Sequence, residues 1–214
     1  MVLGARLAYS SLSTISSPIM KRTLLFTLAL LFAVPAASAQ STIGLRAGLN
    51  TASWSNDNDA TNPRLGFVGG LTARYQATST FSLQGEVLYS QEGAVDEVLD
   101  GTYKSDYVNI PVLVRASVPL SPFADAGAFV GPTVSIPVNG TFAPSEGPDE
   151  PFDAFQKTTY GVTVGVDYYA GPVGVDLRYT TGLGDVFDAD YPETDLVDAK
   201  NQVFAVTLGY RFGG

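Results

Sequence analysis

The sequence predicts an all-β chain: an eight-stranded antiparallel up-and-down transmembrane β-barrel with short periplasmic turns and long extracellular loops. Three observations predict it. Eight segments, each roughly the ten residues a tilted membrane strand needs, alternate apolar and polar side chains with a period of two. The connections between them alternate short and long, as they do when turns face one side of a membrane and loops the other. Every charged residue within the segments falls on the face opposite the apolar one.

The first strand, Ile43 to Asn50, points Ile43, Leu45, Ala47 and Leu49 outward and Arg46 inward. The second, Leu65 to Tyr75, points Phe67, Leu71, Ala73 and Tyr75 outward and Arg74 inward. In the third, Thr80 to Gln91, Phe81, Leu83, Val87 and Tyr89 face out and Glu86 faces in. In the fourth, Tyr107 to Val118, Val108, Ile110, Val112 and Val114 face out and Arg115 faces in. The fifth, Phe123 to Ile136, has the weakest alternation, and charge sets its facing: Asp125 inward, with Ala124, Ala126, Ala128 and Val130 outward. The sixth, Thr158 to Tyr169, carries Tyr160, Val162, Val164, Val166 and Tyr168 outward and Asp167 inward. The seventh, Val173 to Gly182, turns Asp176 and Arg178 inward. The eighth, Asn201 to Phe212, presents Phe204, Val206, Leu208, Tyr210 and Phe212 on one face and Arg211 on the other.

The short connections are Gln76–Ser79, Pro119–Pro122 and Ala170–Pro172; the long ones are Thr51–Arg64, Glu92–Asp106, Pro137–Lys157 and Leu183–Lys200. Alternation alone fits two barrels. A soluble, lipocalin-like barrel turns the apolar face inward around a ligand; a membrane barrel turns it toward lipid. Aromatic placement favours the second. Tyr75, Phe81, Tyr168, Tyr210 and Phe212 fall near one end of their strands, and Phe67, Tyr89, Tyr160, Tyr179 and Phe204 near the other. Two rings of amphipathic side chains suit two membrane interfaces. The membrane facing places Arg46, Arg74, Glu86, Arg115, Asp125, Asp167, Asp176, Arg178 and Arg211 together in a lumen charge network, tolerable because arginine and carboxylate pair bidentately.

The remaining sequence agrees with export. Met20-Lys-Arg precedes an apolar run from Leu24 to Val34, then Pro35 and Ala37-Ser-Ala39. This reads as a signal peptide over residues 20–39 cleaved between Ala39 and Gln40. Residues 1–19 read as an upstream extension or mis-called start, and 40–214 as one barrel domain. Histidine and cysteine are absent, which removes disulfides, thiolate metal sites and Ser-His or Cys-His catalysis. No enzyme activity, cofactor or metal centre is expected. From Gln40 onward there are 21 acidic and nine basic residues, and seventeen of the acids fall in the four long connections. Such a surface excludes nucleic acid as a partner. The stretch from Asp185 to Asp195 gathers carboxylates but lacks EF-hand spacing, so it reads as a solvated acidic loop. Asn139-Gly-Thr141 reads as a turn.

The run Gly44-Leu-Arg-Ala-Gly-Leu-Asn50 is followed by Gly69-Gly-Leu71 and Leu83-Gln-Gly-Glu-Val-Leu-Tyr-Ser-Gln-Glu-Gly93. Tyr107-Val-Asn-Ile-Pro-Val-Leu113 and Leu208-Gly-Tyr-Arg-Phe212 complete an ordered set. From Ile43 to Phe212 the chain resembles the PorT-like family of bacterial outer-membrane β-barrel domains, of OmpA/OmpX-type eight-stranded architecture. The resemblance implies residence in outer-membrane lipid and assembly by the barrel-assembly machinery, with Tyr210 and Phe212 as the C-terminal assembly signal. Two glycines follow Phe212, a departure from the terminal-Phe pattern. It also implies a surface or secretion-system partner met through the extracellular loops. The expected function is therefore structural or surface-binding and non-enzymatic. Alternatives are a small ion-conducting pore, or a soluble lipocalin-like binder of apolar ligands.

Overall fold

The computed structural model describes residues 41–55, 62–96, 101–144, 150–151, 158–183 and 200–212. The proposed cleavage point at Ala39 and Gln40 and the acidic stretch from 185 to 195 lie outside them. The described residues form β1 (Ser41–Ser55), β2 (Asn62–Gln76), β3 (Phe81–Asp96), β4 (Gly101–Ser121), β5 (Ala124–Pro144), a two-residue β6 (Glu150–Pro151), β7 (Thr159–Ala170), β8 (Val173–Gly182) and β9 (Lys200–Phe212). Each of the eight long strands pairs antiparallel with its neighbours in sequence. β9 returns to pair with β1, from Ile43 opposite Phe212 to Ser55 opposite Lys200, and closes the wall. β6 pairs only with the Thr141–Phe142 end of β5, outside the ring.

Closure gives the two faces different solvents, and burial tells which is which. Leu45, Leu71, Val112, Val166, Leu177 and Leu208 are exposed on the outside, while Arg46, Glu86, Arg115, Asp167 and Asp176 are buried inside. A barrel in water would reverse this, so the apolar-ligand reading is excluded by the direction of the side chains. All ten aromatics assigned to the two girdles lie exposed on the outer wall. Tyr160 and Tyr168 on β7 are eight residues apart, roughly 27 Å along a strand and about 20 Å in height at a typical tilt. That is close to the apolar band of an outer membrane.

Two tight turns hold one end. Gly171, between β7 and β8, has φ +59°, a left-handed conformation that favours glycine, and its N–H donates to the Phe123 carbonyl at 2.6 Å. The Ala77 N–H donates to the Phe81 carbonyl at 3.0 Å between β2 and β3.

The other end departs from the sequence reading. Residues 51–55, 92–96, 101–106 and 137–144, expected in long loops, are strand. Glu92 and Asp106 therefore sit on β3 and β4, and Asn139-Gly-Thr141 is not a turn but β-structure paired with Lys104, Ser105 and Asp106. The physical reason is an inversion of the pattern. Above the outer girdle the apolar and aromatic residues Ala52, Trp54, Ala94, Tyr103 and Tyr107 are buried inside, while Ser53 and Lys104 share the outer face. A frame that equates apolar with outward loses these strands at the membrane surface. Gly93, φ +135°, takes a conformation other residues avoid, and a Cβ there would strike the Tyr103 carbonyl, so glycine carries β3 through this region.

Candidate functional site, the barrel lumen

The lumen is filled in layers. Nearest the short turns, Arg115 reaches from β4 to Asp167 on β7, its Nε donating to Oδ2 at 2.7 Å and Oδ1 at 3.0 Å. Its Nη2 pairs with both Asp167 and Asp125. Arg211 pairs with Asp125 at 3.2 Å and lies over the Tyr169 ring, 3.2 Å from its centroid. Arg74 is 3.6 Å from Asp167, and its Nε donates to Gln84 at 2.8 Å. Small residues make room for these long ones. A Cβ on Gly127 would come within 2.6 Å of the Arg115 guanidinium. Gly127→Val is therefore expected to push Arg115 off Asp167 and cost about 1–3 kcal/mol from overpacking alone, seen as a lower denaturant midpoint of the refolded barrel.

The middle layer is a four-charge knot. Arg178 spans Glu86 and Asp176, with Nη1 on Glu86 Oε2 at 2.6 Å and Nε on Asp176 Oδ1 at 2.8 Å. Arg46 reaches the same two carboxylates and donates to the Thr207 hydroxyl at 3.1 Å. Gln84 donates to Glu86 while accepting from Arg74, which joins the two layers. The side chains of Arg46, Glu86, Asp176 and Arg178 are each 5% exposed or less. The four charged heads are almost wholly enclosed by protein. Desolvation of this many charges is costly, and the paired, forked geometry is what offsets it.

Above the knot the interior becomes neutral. Val68, Leu88 and Ala205 pack together, and Thr163 shares hydroxyl hydrogen bonds with Thr133 at 2.6 Å and Thr180 at 2.8 Å. A cavity of about 30 Å³ lies here, bordered by Asn50, Ser90 and Asn109 among others. Such a space holds roughly one water. Next come Glu92, Asn109 and Asn201, and finally an aromatic cap in which Trp54 and Tyr103 sit 5.4 Å apart.

The structure thus places all nine charged residues singled out from the sequence inside the barrel, and pairs each with at least one of the others. Glu92 was missed. Its parity with Glu86 and Ser90 was the available signal, since every second residue of β3 points inward. It raises the lumen carboxylates to five, equal in number to the arginines. Tyr210 and Phe212 lie on the outer wall, their rings 5.1 Å apart edge to face.

An antiparallel barrel with an apolar exterior, aromatic girdles and a charge-filled core is an integral β-barrel membrane protein. The chain belongs to the outer membrane protein β-barrel domain family, whose model matches residues 24–212. Among solved structures it is similar to Neisserial surface protein A, with a TM-score of 0.51 and 14% identity, covering 82% of this chain and 98% of that one. Ail of Yersinia pestis gives a TM-score of 0.48 at 18% identity, with 81% and 99% covered. The N-terminal barrel domain of Pseudomonas aeruginosa OprF gives 0.40 at 11%, with 81% and 98% covered. These likenesses concern the fold. No curated protein matches the chain.

Proposed function

We propose that this outer-membrane barrel is a non-enzymatic surface protein whose lumen is a closed structural plug and whose extracellular loops make the functional contact. One observation carries the reading: the Arg46–Glu86–Asp176–Arg178 knot is buried and fully ion-paired at mid-barrel. A rigid, filled interior leaves the loop end as the surface able to meet a partner. The stretches 145–157 and 183–200 supply that surface, with acidic side chains selecting a basic or cation-bridged partner. The PorT-like resemblance adds a secretion-system component as the partner to test first. The lack of histidine and cysteine, and the engagement of the described lumen carboxylates with arginine or amide groups, support a chain without catalytic chemistry. Export with cleavage after Ala39, and recognition of Tyr210 and Phe212 during assembly, belong to the same proposal.

Planar-bilayer recording tests the plug. The refolded chain from Gln40 to Gly214 is expected to show heat-modifiable migration on SDS gels, which marks a closed barrel, yet no stepwise conductance. Reproducible single-channel steps from heat-modifiable protein would overturn the plug and install the pore reading.

A further inference from the structure

The β4–β5 turn carries large apolar side chains where the β2–β3 turn carries small and polar ones. Leu120 is 60% exposed, and Phe123, at 81%, is the most exposed large apolar side chain among the described residues. No charged residue occurs from Ala116 to Ala124. The β2–β3 turn, between Tyr75 and Phe81, reads Gln76-Ala-Thr-Ser-Thr80. The β4–β5 turn also reaches beyond the girdle at the short-turn end. Phe81 of that girdle pairs with Ala116, and Tyr168 with Ala126, itself opposite Val118. The girdle thus crosses this hairpin at Ala116 and Val118. Leu120 stands two to four residues farther along β4, roughly 7–14 Å of strand.

The turn hides much of its backbone polarity. Pro119 and Pro122 have no N–H. The Phe123 N–H donates to Ser121 Oγ at 3.3 Å, and the Phe123 carbonyl accepts from the Gly171 N–H at 2.6 Å. Satisfied backbone groups are what a water-poor environment demands, because a free amide there is costly. The same bonds brace the turn with Leu120 and Phe123 held outward.

The exposed surface is continuous with the lipid-facing wall. Every second residue of β4 from Val108 to Leu120 is apolar and lies on the outer face, a run of roughly 40 Å along the strand and about 30 Å in height. Across the barrel on β9, the run from Phe204 to Phe212 is about 20 Å high. A wall taller on one side is met by tilt of the barrel or by local thickening of the bilayer. Either brings the β4–β5 turn into lipid. Directly above the turn a groove of about 580 Å³, lined by Ala116, Ala126, Ala128, Val118, Val166 and Tyr168 among others, runs up the outer wall. An acyl chain beside the turn would lie in it.

We propose that Leu120 and Phe123 form a lipid anchor, set in the phospholipid leaflet at the short-turn end where headgroups meet acyl chains. A protein partner at this end would need a polar rim to define its register. The turn offers none, since its one hydroxyl, on Ser121, is taken by the Phe123 N–H.

The chain from Gln40 to Gly214 is refolded into phosphatidylcholine vesicles and checked for heat-modifiability. Tryptophan is placed in the anchor by Phe123→Trp and in the comparison turn by Ser79→Trp. The signal of Trp54, the chain's one tryptophan, is measured in the unsubstituted barrel and subtracted. Bromine on acyl chains quenches tryptophan only at close range. The expected result is loss of fluorescence for Phe123→Trp, and none for Ser79→Trp, in vesicles of acyl-brominated phosphatidylcholine. Phe123→Ala removes a ring with little protein contact to lose. It is expected to lower the equilibrium constant for folding into vesicles about tenfold, through lost burial in lipid. Position 123 unquenched by brominated lipid, or an unchanged folding constant for Phe123→Ala, places the turn in water and overturns the proposal. Quenching at 79 as strong as at 123 makes lipid contact common to the turns and overturns a dedicated anchor. Protection of position 123 from both brominated lipid and aqueous acrylamide means that a second copy or another chain covers it, and overturns the proposal as well.

Discussion

Replacing Arg178 with methionine is expected to lower the unfolding free energy of the refolded barrel by about 3–5 kcal/mol. Arg178 forks between Glu86 and Asp176 and makes four hydrogen bonds to them. Removing it leaves two buried carboxylates to share Arg46, which already donates to Asp176 and Thr207. The cost arises less from the lost attraction than from the charge left behind. The double variant Arg178→Met with Glu86→Gln is therefore expected to be less damaging than Arg178→Met alone, because Arg46 and Asp176 remain a neutral pair. Urea or guanidinium unfolding of the refolded proteins, followed by gel migration, measures both. Equal loss in the single and double variants would mean that packing against Phe129, 5.4 Å from the guanidinium, outweighs charge.

The second large effect lies on the opposite face. Val164 is midway between Tyr160 and Tyr168 on β7, exposed on the outer wall, opposite Val130 on β5 and Tyr179 on β8. An arginine there meets the centre of the hydrocarbon, where such a charge costs about 2–4 kcal/mol. Val164→Arg is expected to reduce folding into bilayers by that amount. The same substitution at Ser53, outward-facing and two residues beyond the Thr51–Phe204 pair at the outer girdle, is expected to be nearly neutral. A depth series of folding free energies into lipid vesicles checks it. A flat profile from position 164 to the strand ends would contradict the placement of the bilayer between the girdles.

The contrast between these two faces explains what could be read from the sequence. Hydrocarbon imposes a strict rule on one face of a strand, and the stretches 43–50, 81–90 and 204–212 obey it residue by residue. Weak stretches such as Ala124–Val130 were oriented by one charge, Asp125. The partnership of Arg115 with Asp167, 52 residues apart, was beyond reach, because parity gives the side of the wall but not the angle around it. Glu92 escaped for a related reason. Beyond Tyr89 the outward residue Gln91 is polar, so the alternation faded, and a polar run beside Gly93 resembled a loop. The same fading hid Trp54 and Tyr103. Interior aromatics above the membrane obey the rule of a barrel in water, not the rule that framed the rest.

That reversal divides the wall into two materials. From the short turns to Tyr89 the wall is held by lipid outside and ion pairs inside. From there β3 continues seven residues to Asp96, roughly 20 Å or more along the strand, around a small core of Trp54, Ala94, Tyr103 and Tyr107. This upper collar owes its order to itself and not to the bilayer. The collar is built on β1 to β5 and β9, while β7 and β8 end close to the outer girdle. An epitope grafted between residues 55 and 62 would be attached at both ends to strands that stand clear of the headgroups, which makes the collar a mounting plate for display.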